Sequence, residues 1–417
     1  MERRAFVRHG ALALLALGLP PDFLTRSLLA QTHAAAKKKT LICIFQRGAV
    51  DGLSMVTPFG EKDYYARRRS IAVPAPSSNG GNLIDLDGFF GLHPALQPLH
   101  DLFTRNELGI LHAVGSPHPT RSHFDAQDFM ETATPGIKST RDGWLNRVLA
   151  HATDHAVGQT ALGAESLRGV AMGAALPKSL RGKQPALAIQ DLNRFGVLGG
   201  REEEFEKAYN TEAGTVIGSA TDGAFDAIKV LRSANLTQYR AAAGVQYPQG
   251  EFGRSLSQVA QLIKSGVGVE IAFVDIGGWD THQAQGGSEG QLARRLYEMA
   301  RGIRALYDDL GDRMDDVVLL TMSEFGRTVA ENGSGGTDHG HGTCMFVAGG
   351  AVNGGKVLGD WPGLAPEQLY QGRDLAVTTD FREVFAELAS RHLGAQQLEQ
   401  VFPGWTAPVK SRPLVLR

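Results

Sequence analysis

Side chains that bind metals or act as nucleophiles recur beside the apolar runs of this sequence. The runs LICIF, LGILHAV, VEIAFVDI and VVLLTM are each followed by a polar loop, and a further polar loop precedes CMFVAGG. The polar side chains of these five loops include Asp51, Ser122, Asp280, His282, Glu324, His339 and His341. Functional sites of open α/β sheets lie at the carboxyl ends of the strands. We therefore expect the five loops to meet at one edge of one sheet.

Two pairs of side chains point to a divalent metal. Asp280 stands two residues before His282, and His339 stands two residues before His341. Residues two apart in extended backbone point to the same side. Imidazole and carboxylate ligands suit zinc or manganese, as one ion or two. For either pair alone, a histidine that is only hydrogen-bonded within its loop is the alternative, but the five loops together favour a metal.

Asp51 and Glu324 are further candidate metal ligands with plainer alternatives. Asp51 precedes a glycine, and Asp-Gly is a common turn. Glu324 precedes the sequence Phe-Gly-Arg, so its carboxylate is either a metal ligand or the ion-pair partner of Arg327. The residues alone leave both alternatives open.

The segment PTRSHF, residues 119–124, is the natural position for a nucleophile. Ser122 would lie where a strand turns into a helix, and the N-terminus of that helix favours an anionic substrate. Ser122 also suits the N-cap position, and the two roles are compatible. The alternative is a Ser-His-Asp hydrolase with Ser122 and one of His123, His339 or His341. Because no Gly-x-Ser-x-Gly turn surrounds Ser122, this alternative ranks lower.

Buried strands that alternate with helices must position these loops. Continuous apolar runs predict strands buried on both faces, at residues 40–45, 108–114, 267–276, 317–322 and 345–348. Amphipathic stripes predict helices between them. The alternation predicts a three-layer α/β/α sandwich with a mostly parallel central sheet. We expect one α/β domain over residues 37–417, with residues 177–250 as an insertion or a cap.

The composition excludes some classes of function. The chain has 417 residues, with 42 Lys and Arg against 44 Asp and Glu, and its net charge is −2. Binding to nucleic acid is not expected, because it needs a clustered positive field. Cys43 and Cys344 lie in or beside apolar runs and are expected to be buried thiols, with a disulfide as the alternative in an oxidising compartment.

The first 36 residues predict an export signal. Arg3 and Arg4 precede an apolar stretch, residues 11–19, that is too short to span a bilayer. Alanines at 34–36 offer a cleavage site. The arginine pair favours the twin-arginine route, with a short membrane anchor as the alternative. We therefore expect a periplasmic or secreted protein that does not span the membrane.

The longest motifs resemble those of a bacterial family called domain of unknown function 1501. They are FQRGAVDGLSMVTP, HAVGSPHPTRSHFDAQDFMETATPG, DIGGWDTH, SEFGRT, GTDHGHGTCMFVAGG, GDWPG and RDLAVTTDFRE. The resemblance covers the whole chain, signal included. The family is in turn remotely similar to the alkaline phosphatase and sulfatase superfamily, which implies an alkaline-phosphatase-like fold.

The superfamily resemblance implies roles for particular residues. Asp51 matches a metal-binding aspartate that ends the first strand. Ser122 matches the nucleophile, with Thr120 as the alternative at that turn. His339 or His341 matches a final metal-binding histidine near the last strand.

The sequence also departs from the superfamily pattern. Asp280 and His282 match a later Asp and His pair, but their spacing is tighter than usual. Only Glu324 matches the following Asp-His pair, because Phe325 stands where the histidine is expected. These departures bear on hydrolysis more than on the fold.

Two functions follow from this reasoning. The first is a metal-dependent hydrolase of phosphate or sulfate esters, small or polymeric, outside the cytoplasm. The second is a non-catalytic exported protein that keeps the fold and one metal. It would act in the assembly of a cell-envelope structure or hold an exported partner protein. The residues of the first hypothesis are Asp280, His282 and His341 for one ion, Asp51 and Glu324 for a second ion, Ser122 as nucleophile and Arg121 as a neutralising charge.

Overall fold

The structure, a computed structural model, describes six parts of the chain. These are residues 38–77, 80–152, 167–192, 227–231, 239–408 and 413–417. The predicted signal at residues 1–36 lies outside the described residues. Much of the predicted insertion or cap at 177–250 lies outside them as well.

Twelve β-strands in two sheets are present in the described residues. They are β1 (Thr40–Arg47), β2 (Val56–Thr57), β3 (Ile84–Asp85), β4 (Gly91–Leu92), β5 (Leu108–Gly115), β6 (Gly169–Met172), β7 (Leu187–Ala188), β8 (Ile271–Gly277), β9 (Val317–Met322), β10 (Thr343–Gly349), β11 (Lys356–Leu358) and β12 (Thr379–Asp380). The main sheet has the order β11-β5-β10-β9-β1-β8-β6-β7, and β12 also pairs with β5. Strands β2, β4 and β3 form a small antiparallel sheet.

The main sheet is mostly parallel, as the sequence predicts. Strand β1 is parallel to β8 and β9, and β6 is parallel to β8. Strand β10 is antiparallel to both of its neighbours, β9 and β5. Because β10 is reversed, β5 runs in the same direction as β9 and β1. The ends of β1, β5, β8 and β9 therefore lie at the same edge as the start of β10.

Helices cover both faces of the main sheet. The α-helices of the described residues include α1 (Gly52–Met55), α2 (Lys62–Arg67), α3 (Gln97–Thr104), α4 (His123–Thr132), α5 (Trp144–His151), α6 (Glu251–Lys264), α7 (Gln291–Leu310), α8 (Phe381–Glu387) and α9 (Leu398–Val401). Short 3-10 helices span Pro94–Leu96, Lys178–Leu180, Gly311–Asp316 and Pro366–Gln368, and a π-helical turn spans Leu388–His392. Helices α3, α6 and α7 pack on one face, and α5 and α8 pack on the other. None of the described helices combines the length and the apolar character that a bilayer crossing needs.

Strand β1 shows why the sheet needs two helical layers. Ile42 and Ile44 pack into the hydrophobic cluster on one face, and Leu41 and Phe45 pack into the cluster on the other. Successive side chains of a strand point to opposite faces. A strand that is apolar at every position is therefore stable only when both faces are covered. The predicted three-layer α/β/α sandwich is confirmed.

The boundaries of the five predicted strands agree with the observed ones to within two residues, except at β8. That strand was expected from residue 267, but it begins at Ile271. Gly266 and Gly268 take φ values of 68° and 93°, which turn the chain before the strand starts. Residues that carry a side chain rarely adopt this left-handed backbone conformation, whereas glycine adopts it without steric cost.

The two cysteines lie on opposite sides of the main sheet. Cys43 packs into the cluster that contains Phe45, and Cys344 packs into the cluster that contains Ile44. Both are buried and free. Burial raises the pKa of each thiol, because it disfavours the charged thiolate. They behave as small apolar side chains rather than as a disulfide.

Candidate metal centre

Glycines let the loops at the strand-end edge lie directly against one another. A Cβ atom placed on Gly340 would lie 2.3 Å from the backbone carbonyl carbon of Arg327. A Cβ atom on Gly336 would lie 2.4 Å from that of His282. Neither distance leaves room for a side chain. The loop before β10 therefore packs its backbone on the loops that follow β9 and β8.

Three imidazole rings and one carboxylate gather at this edge, and we call them the histidine cluster. His339 Nε2 lies 3.0 Å from His123 Nε2 and 3.0 Å from His282 Nε2. Asp280 Oδ1 lies 3.0 Å from His282 Nε2 and 3.4 Å from His339 Nε2. Asp280 Oδ2 lies 3.6 Å from His123 Nε2. The side chains of all four residues are partly exposed, so a ligand in solution can reach them.

Each imidazole uses its Nδ1 atom in a hydrogen bond to an oxygen. The pairs are His123 with Glu324 at 2.8 Å, His282 with Asp338 at 2.9 Å, and His339 with the Arg121 carbonyl at 2.8 Å. Carbonyl and carboxylate oxygens only accept, so each Nδ1 carries the hydrogen. In the neutral ring, Nε2 then carries a lone pair and no hydrogen. The lone pair of His339 thus faces those of His123 and His282, each at 3.0 Å, an arrangement that a cation stabilises.

The spacing of the donor atoms suits a metal ion. The ligand atoms of His123, Asp280 and His339 lie within 4.8 Å of one another. Zinc bonds histidine nitrogen at ~2.0–2.1 Å, so two ligands of a tetrahedral site stand about 3.3 Å apart. The separations of His339 and Asp280 from the other donor atoms, and from each other, run from 3.0 to 3.6 Å and bracket that value. Zinc-binding histidines commonly donate their other ring N–H to a carboxylate or carbonyl, as these do.

A buried arginine keeps the cluster carboxylate ionised. The Arg327 guanidinium is 1% exposed and donates to Asp280 Oδ1. It also donates to the backbone carbonyls of Gly48, Ala49 and Thr337, at 2.8, 2.8 and 3.1 Å. Burial alone would raise the pKa of Asp280, but the hydrogen bond and charge of Arg327 outweigh it and hold that pKa below its usual value. Asp280 is therefore negatively charged at neutral pH.

A buried carboxylate, that of Glu324, orients His123. Glu324 Oε1 accepts hydrogen bonds from His123 Nδ1, from the Gly48 amide at 2.9 Å and from Gln127 Nε2 at 2.9 Å. Burial would raise the pKa of Glu324, but its hydrogen bonds, that from His123 first, lower it. In return, the hydrogen bond to Glu324 and its charge raise the pKa of His123 in the metal-free protein.

The affinity for metal is expected to fall as the pH falls. Metal and proton compete for His123 Nε2, and the raised pKa of His123 lets the proton compete above the ordinary histidine value of ~6.5. The apparent zinc affinity, measured by chelator competition between about pH 8 and about pH 5.5, should decline from the alkaline end. In the metal-free protein, the Glu324–His123 pair stabilises the fold fully below the ordinary pKa and loses that contribution as the pH rises through the raised pKa.

Glu324→Gln is the control for this pH dependence. Glutamine keeps the hydrogen-bond acceptor and removes the charge that raises the pKa of His123. As the pH is lowered, the zinc affinity of the Glu324→Gln variant should begin to decline at a lower pH than that of the wild type. An identical decline in both proteins would show that His123 does not set the pH dependence.

Phe325 supports two rings of the cluster. Its ring centroid lies 5.0 Å from that of His123 and 5.1 Å from that of His339, and the side chain is buried. The superfamily resemblance led us to expect a histidine here. The phenylalanine instead packs against the imidazoles and limits their rotation.

Comparison with known families identifies the chain. The profile of the family described as "Protein of unknown function (DUF1501)" matches residues 103–402. The chain belongs to this family. The four residues of the histidine cluster all fall within the matched range, so the cluster is part of the DUF1501 region.

Several solved structures are similar to this DUF1501 protein. They include Ps i-CgsB, with 11% identity, 88% of this chain and 74% of that chain covered, and a TM-score of 0.37. The C-terminal periplasmic domain of EcEptC from Escherichia coli, in complex with Zn, has 10% identity, coverage of 91% and 92%, and a TM-score of 0.38. The sulfatase PsFucS1 from Pseudoalteromonas sp. has 12% identity, coverage of 90% and 72%, and a TM-score of 0.36. Among curated proteins, no significant sequence match was found.

Asp51 of this DUF1501 protein lies in a buried ion pair. Its carboxylate accepts from Arg68 at 2.6 and 3.0 Å, from Ser54 Oγ at 2.9 Å and from Gln285 Nε2 at 2.7 Å. Burial would raise the pKa of Asp51, but the charge of Arg68 lowers it below its usual value. A guanidinium thus supplies the positive charge that the two-ion hypothesis assigned to a metal.

His341 also has other partners than the cluster. Its ring stacks on Tyr370, with centroids 4.2 Å apart, and burial lowers its pKa to about 4. Of the predicted ligands, the structure brings together Asp280, His282 and His339. It places Glu324 behind the cluster, in contact with a ring Nδ1.

The residues predicted to react with substrate lie at the start of α4. Ser122 is the N-cap residue, is exposed, and makes no capping hydrogen bond with its side chain. Thr120 Oγ1 accepts from the Ser122 amide at 3.3 Å. Arg121 offers its carbonyl to the cluster, and its guanidinium pairs with Asp374. The next residue along the chain is His123, a member of the cluster.

Sequence reasoning did not assign His123 to the metal. It weighed this residue only as the catalytic partner of Ser122 in a serine hydrolase. A signal was available, because His123 opens the helix that follows β5 and so stands at a strand end like the other candidates. Asp338, which orients His282, was likewise not singled out.

Proposed function

We propose that this DUF1501 protein is a metal-dependent hydrolase of phosphate or sulfate esters that acts outside the cytoplasm. The observation that carries the proposal is the meeting of three imidazole Nε2 atoms whose Nδ1 atoms are all committed to oxygens. The ligands are His123, Asp280, His282 and His339, and they suit zinc or manganese. When bound, such an ion supplies Lewis acidity that stabilises negative charge on a reacting group.

We place one ion in this site rather than two. Arg68 and Arg327 are both buried, and each binds a carboxylate, Asp51 and Asp280 respectively. Arginine stays protonated even when buried. The two guanidinium groups therefore bring permanent positive charge to positions where a second cation would otherwise neutralise carboxylates.

The start of α4 is suited to receive the anionic group of the ester. The first N–H groups of a helix have no partner within the helix and favour negative charge. We assign the attack on the phosphorus or sulfur atom to the Ser122 hydroxyl, which is exposed at this N-terminus. A bond from the phosphorus or sulfur atom to Ser122 Oγ forms as the bond to the leaving alcohol oxygen breaks, and the proton lost by the serine hydroxyl goes to that alcohol. Water then attacks the same atom, the bond to Ser122 Oγ breaks, and a proton of the water restores the hydroxyl. Arg121 lies beside it and adds positive charge.

Ser122→Ala tests this assignment. With metal bound, turnover of p-nitrophenyl phosphate or p-nitrophenyl sulfate should fall by roughly 100-fold or more, because alanine has no hydroxyl to form the covalent bond. Thr120→Ala is the matched control and should cost much less, since Thr120 only accepts a hydrogen bond from the Ser122 amide. The reverse order of effects would place the nucleophile two residues earlier. Unchanged turnover in both variants would remove the serine from the mechanism.

A non-catalytic envelope protein that retains the metal is the second candidate. The observation that favours it is Phe124, which is 89% exposed directly after the cluster residue His123. Covering this ring with a partner protein would remove its apolar surface from water, which favours association. Stoichiometric metal without turnover of any phosphate or sulfate ester would favour this candidate over the hydrolase.

A further inference from the structure

We infer that the buried carboxylate of Asp374 is a positioning residue for the metal centre, because it holds the two arginines that fix His339. This inference rests on the metal centre of the proposed function. Asp374 belongs to the motif RDLAVTTDFRE, to which the sequence analysis gave no role.

Asp374 binds two arginines with one carboxylate. Its side chain is fully buried. Oδ2 accepts from Arg121 Nε at 2.9 Å, and Oδ1 accepts from Arg373 Nε at 2.9 Å. Both guanidinium groups are partly exposed, with side-chain exposures of 26% and 47%. The carboxylate is therefore the fixed point, and the arginines reach outward from it.

Both arginines also contact His339. The Arg121 carbonyl accepts the hydrogen of His339 Nδ1 at 2.8 Å. Arg373 Nη2 donates to the His339 carbonyl at 2.5 Å. One arginine thus fixes the imidazole ring and its tautomer, and the other fixes the backbone that carries the ring.

The segment around Asp374 is anchored to the loops that form the site. Asp374 forms an isolated bridge with Thr328, and the Gly342 amide donates to the carbonyl of Leu375 at 3.0 Å. The position of the carboxylate is therefore set by the backbone of the β9 and β10 loops. Loss of its charge would release the two arginines while this backbone stays in place.

The experiment compares metal binding by wild type and Asp374→Asn. Asparagine keeps the shape, but the NH2 group that replaces one carboxylate oxygen donates and cannot accept, so one of the two guanidinium groups loses its partner. Removal of the groups that orient metal-binding histidines typically costs 10–100-fold in metal affinity. We expect the zinc affinity to fall by about that factor, and the visible absorption of the cobalt-substituted protein, which reports ligand geometry, to change.

Asp309→Asn is the matched control. Asp309 is also a buried aspartate with several donors, among them Lys264 Nζ at 2.7 Å and Tyr247 Oη at 2.8 Å, but it lies on α7. This variant should lower thermal stability while zinc affinity and the cobalt spectrum stay as in the wild type. Asp374→Asn with wild-type affinity and spectrum would overturn the inference, and so would an equal loss of affinity in both variants.

Two further outcomes keep the test decisive. If Asp374→Asn fails to fold, Arg373→Met removes only the guanidinium that binds the His339 carbonyl. Zinc affinity and the cobalt spectrum are then compared with those of the wild type in the same way. Weaker zinc binding by Arg373→Met then supports the inference, and wild-type affinity overturns it. A wild-type protein that takes up neither zinc nor cobalt would overturn the proposed metal centre itself, which is a different result from unchanged binding in a variant.

Discussion

His339→Ala is expected to abolish stoichiometric binding of zinc. His339 lies between the other two imidazoles, with its Nε2 atom 3.0 Å from each of theirs. Alanine removes the donor that both remaining histidines share, so the loss of affinity should exceed the 10–100-fold typical of groups that only orient a ligand. The metal content of purified protein, determined by elemental analysis, should fall from about one ion per chain to near zero.

The same variant should lose the stabilisation that metal gives to the wild type. An ion that binds only the native state at 100 times its Kd stabilises it by about 2.7 kcal/mol. Added zinc should therefore raise the Tm of the wild type and leave that of His339→Ala unchanged.

His341→Ala is the matched control, because it removes a histidine two residues away. Its ring stacks on Tyr370 and makes no contact with the cluster in the described structure. Metal content should stay at the wild-type level. Full metal content in His339→Ala together with loss in His341→Ala would show that the loop before β10 presents the other histidine.

Asp51→Ala is expected to destabilise the fold strongly and to leave the metal in place. Arg68 is fully buried, and Asp51 is the carboxylate that pairs with it, at 2.6 Å. Removal of one partner of a buried ion pair costs about 3–5 kcal/mol, because the remaining charge is left without compensation. The free energy of unfolding, measured by urea denaturation, should fall by that amount.

An exposed pair provides the comparison for Asp51. Arg304 and Asp308 form an ion pair on the surface of α7, with side-chain exposures of 30% and 41%. Asp308→Ala should change the free energy of unfolding by less than about 1 kcal/mol. If Asp51→Ala instead keeps wild-type stability and loses the ion, Asp51 is a metal ligand and the two-ion hypothesis regains its basis.

Much of the fold could be predicted because strand burial leaves a direct trace in the sequence. The run LICIF is apolar at every position, which only a strand covered on both faces requires. The edge at which the loops meet could also be predicted, since parallel strands bring their carboxyl ends together. The reversal of β10 left no such trace, because an antiparallel strand buried on both faces carries the same apolar run.

The identity of the ligands was harder to predict, because it depends on the directions of side chains in loops. His339 and His341 lie two residues apart in one loop, so the sequence does not show which of the two rings meets the cluster. In the structure Gly340, between them, packs on the Arg327 backbone, and His339 is the one that meets it. The ion-pair partner of Asp51 is Arg68, 17 residues further along the chain, and no pattern in the sequence links the two. Pair spacing therefore predicted part of the histidine cluster but not its complete set of residues.

The histidine cluster also bears on how long the folded protein lasts. His123 and His339 are 216 residues apart in the sequence, and His282 and His339 are 57 apart. An ion held by these residues closes the chain into large rings, and such closures restrict partly open states more than short ones do. The rate of unfolding, rather than the equilibrium, governs the lifetime of proteins that are damaged once they open. The proposed metal ligands would therefore also hold the loops at the sheet edge together. Removal of the ion would speed unfolding as well as end catalysis.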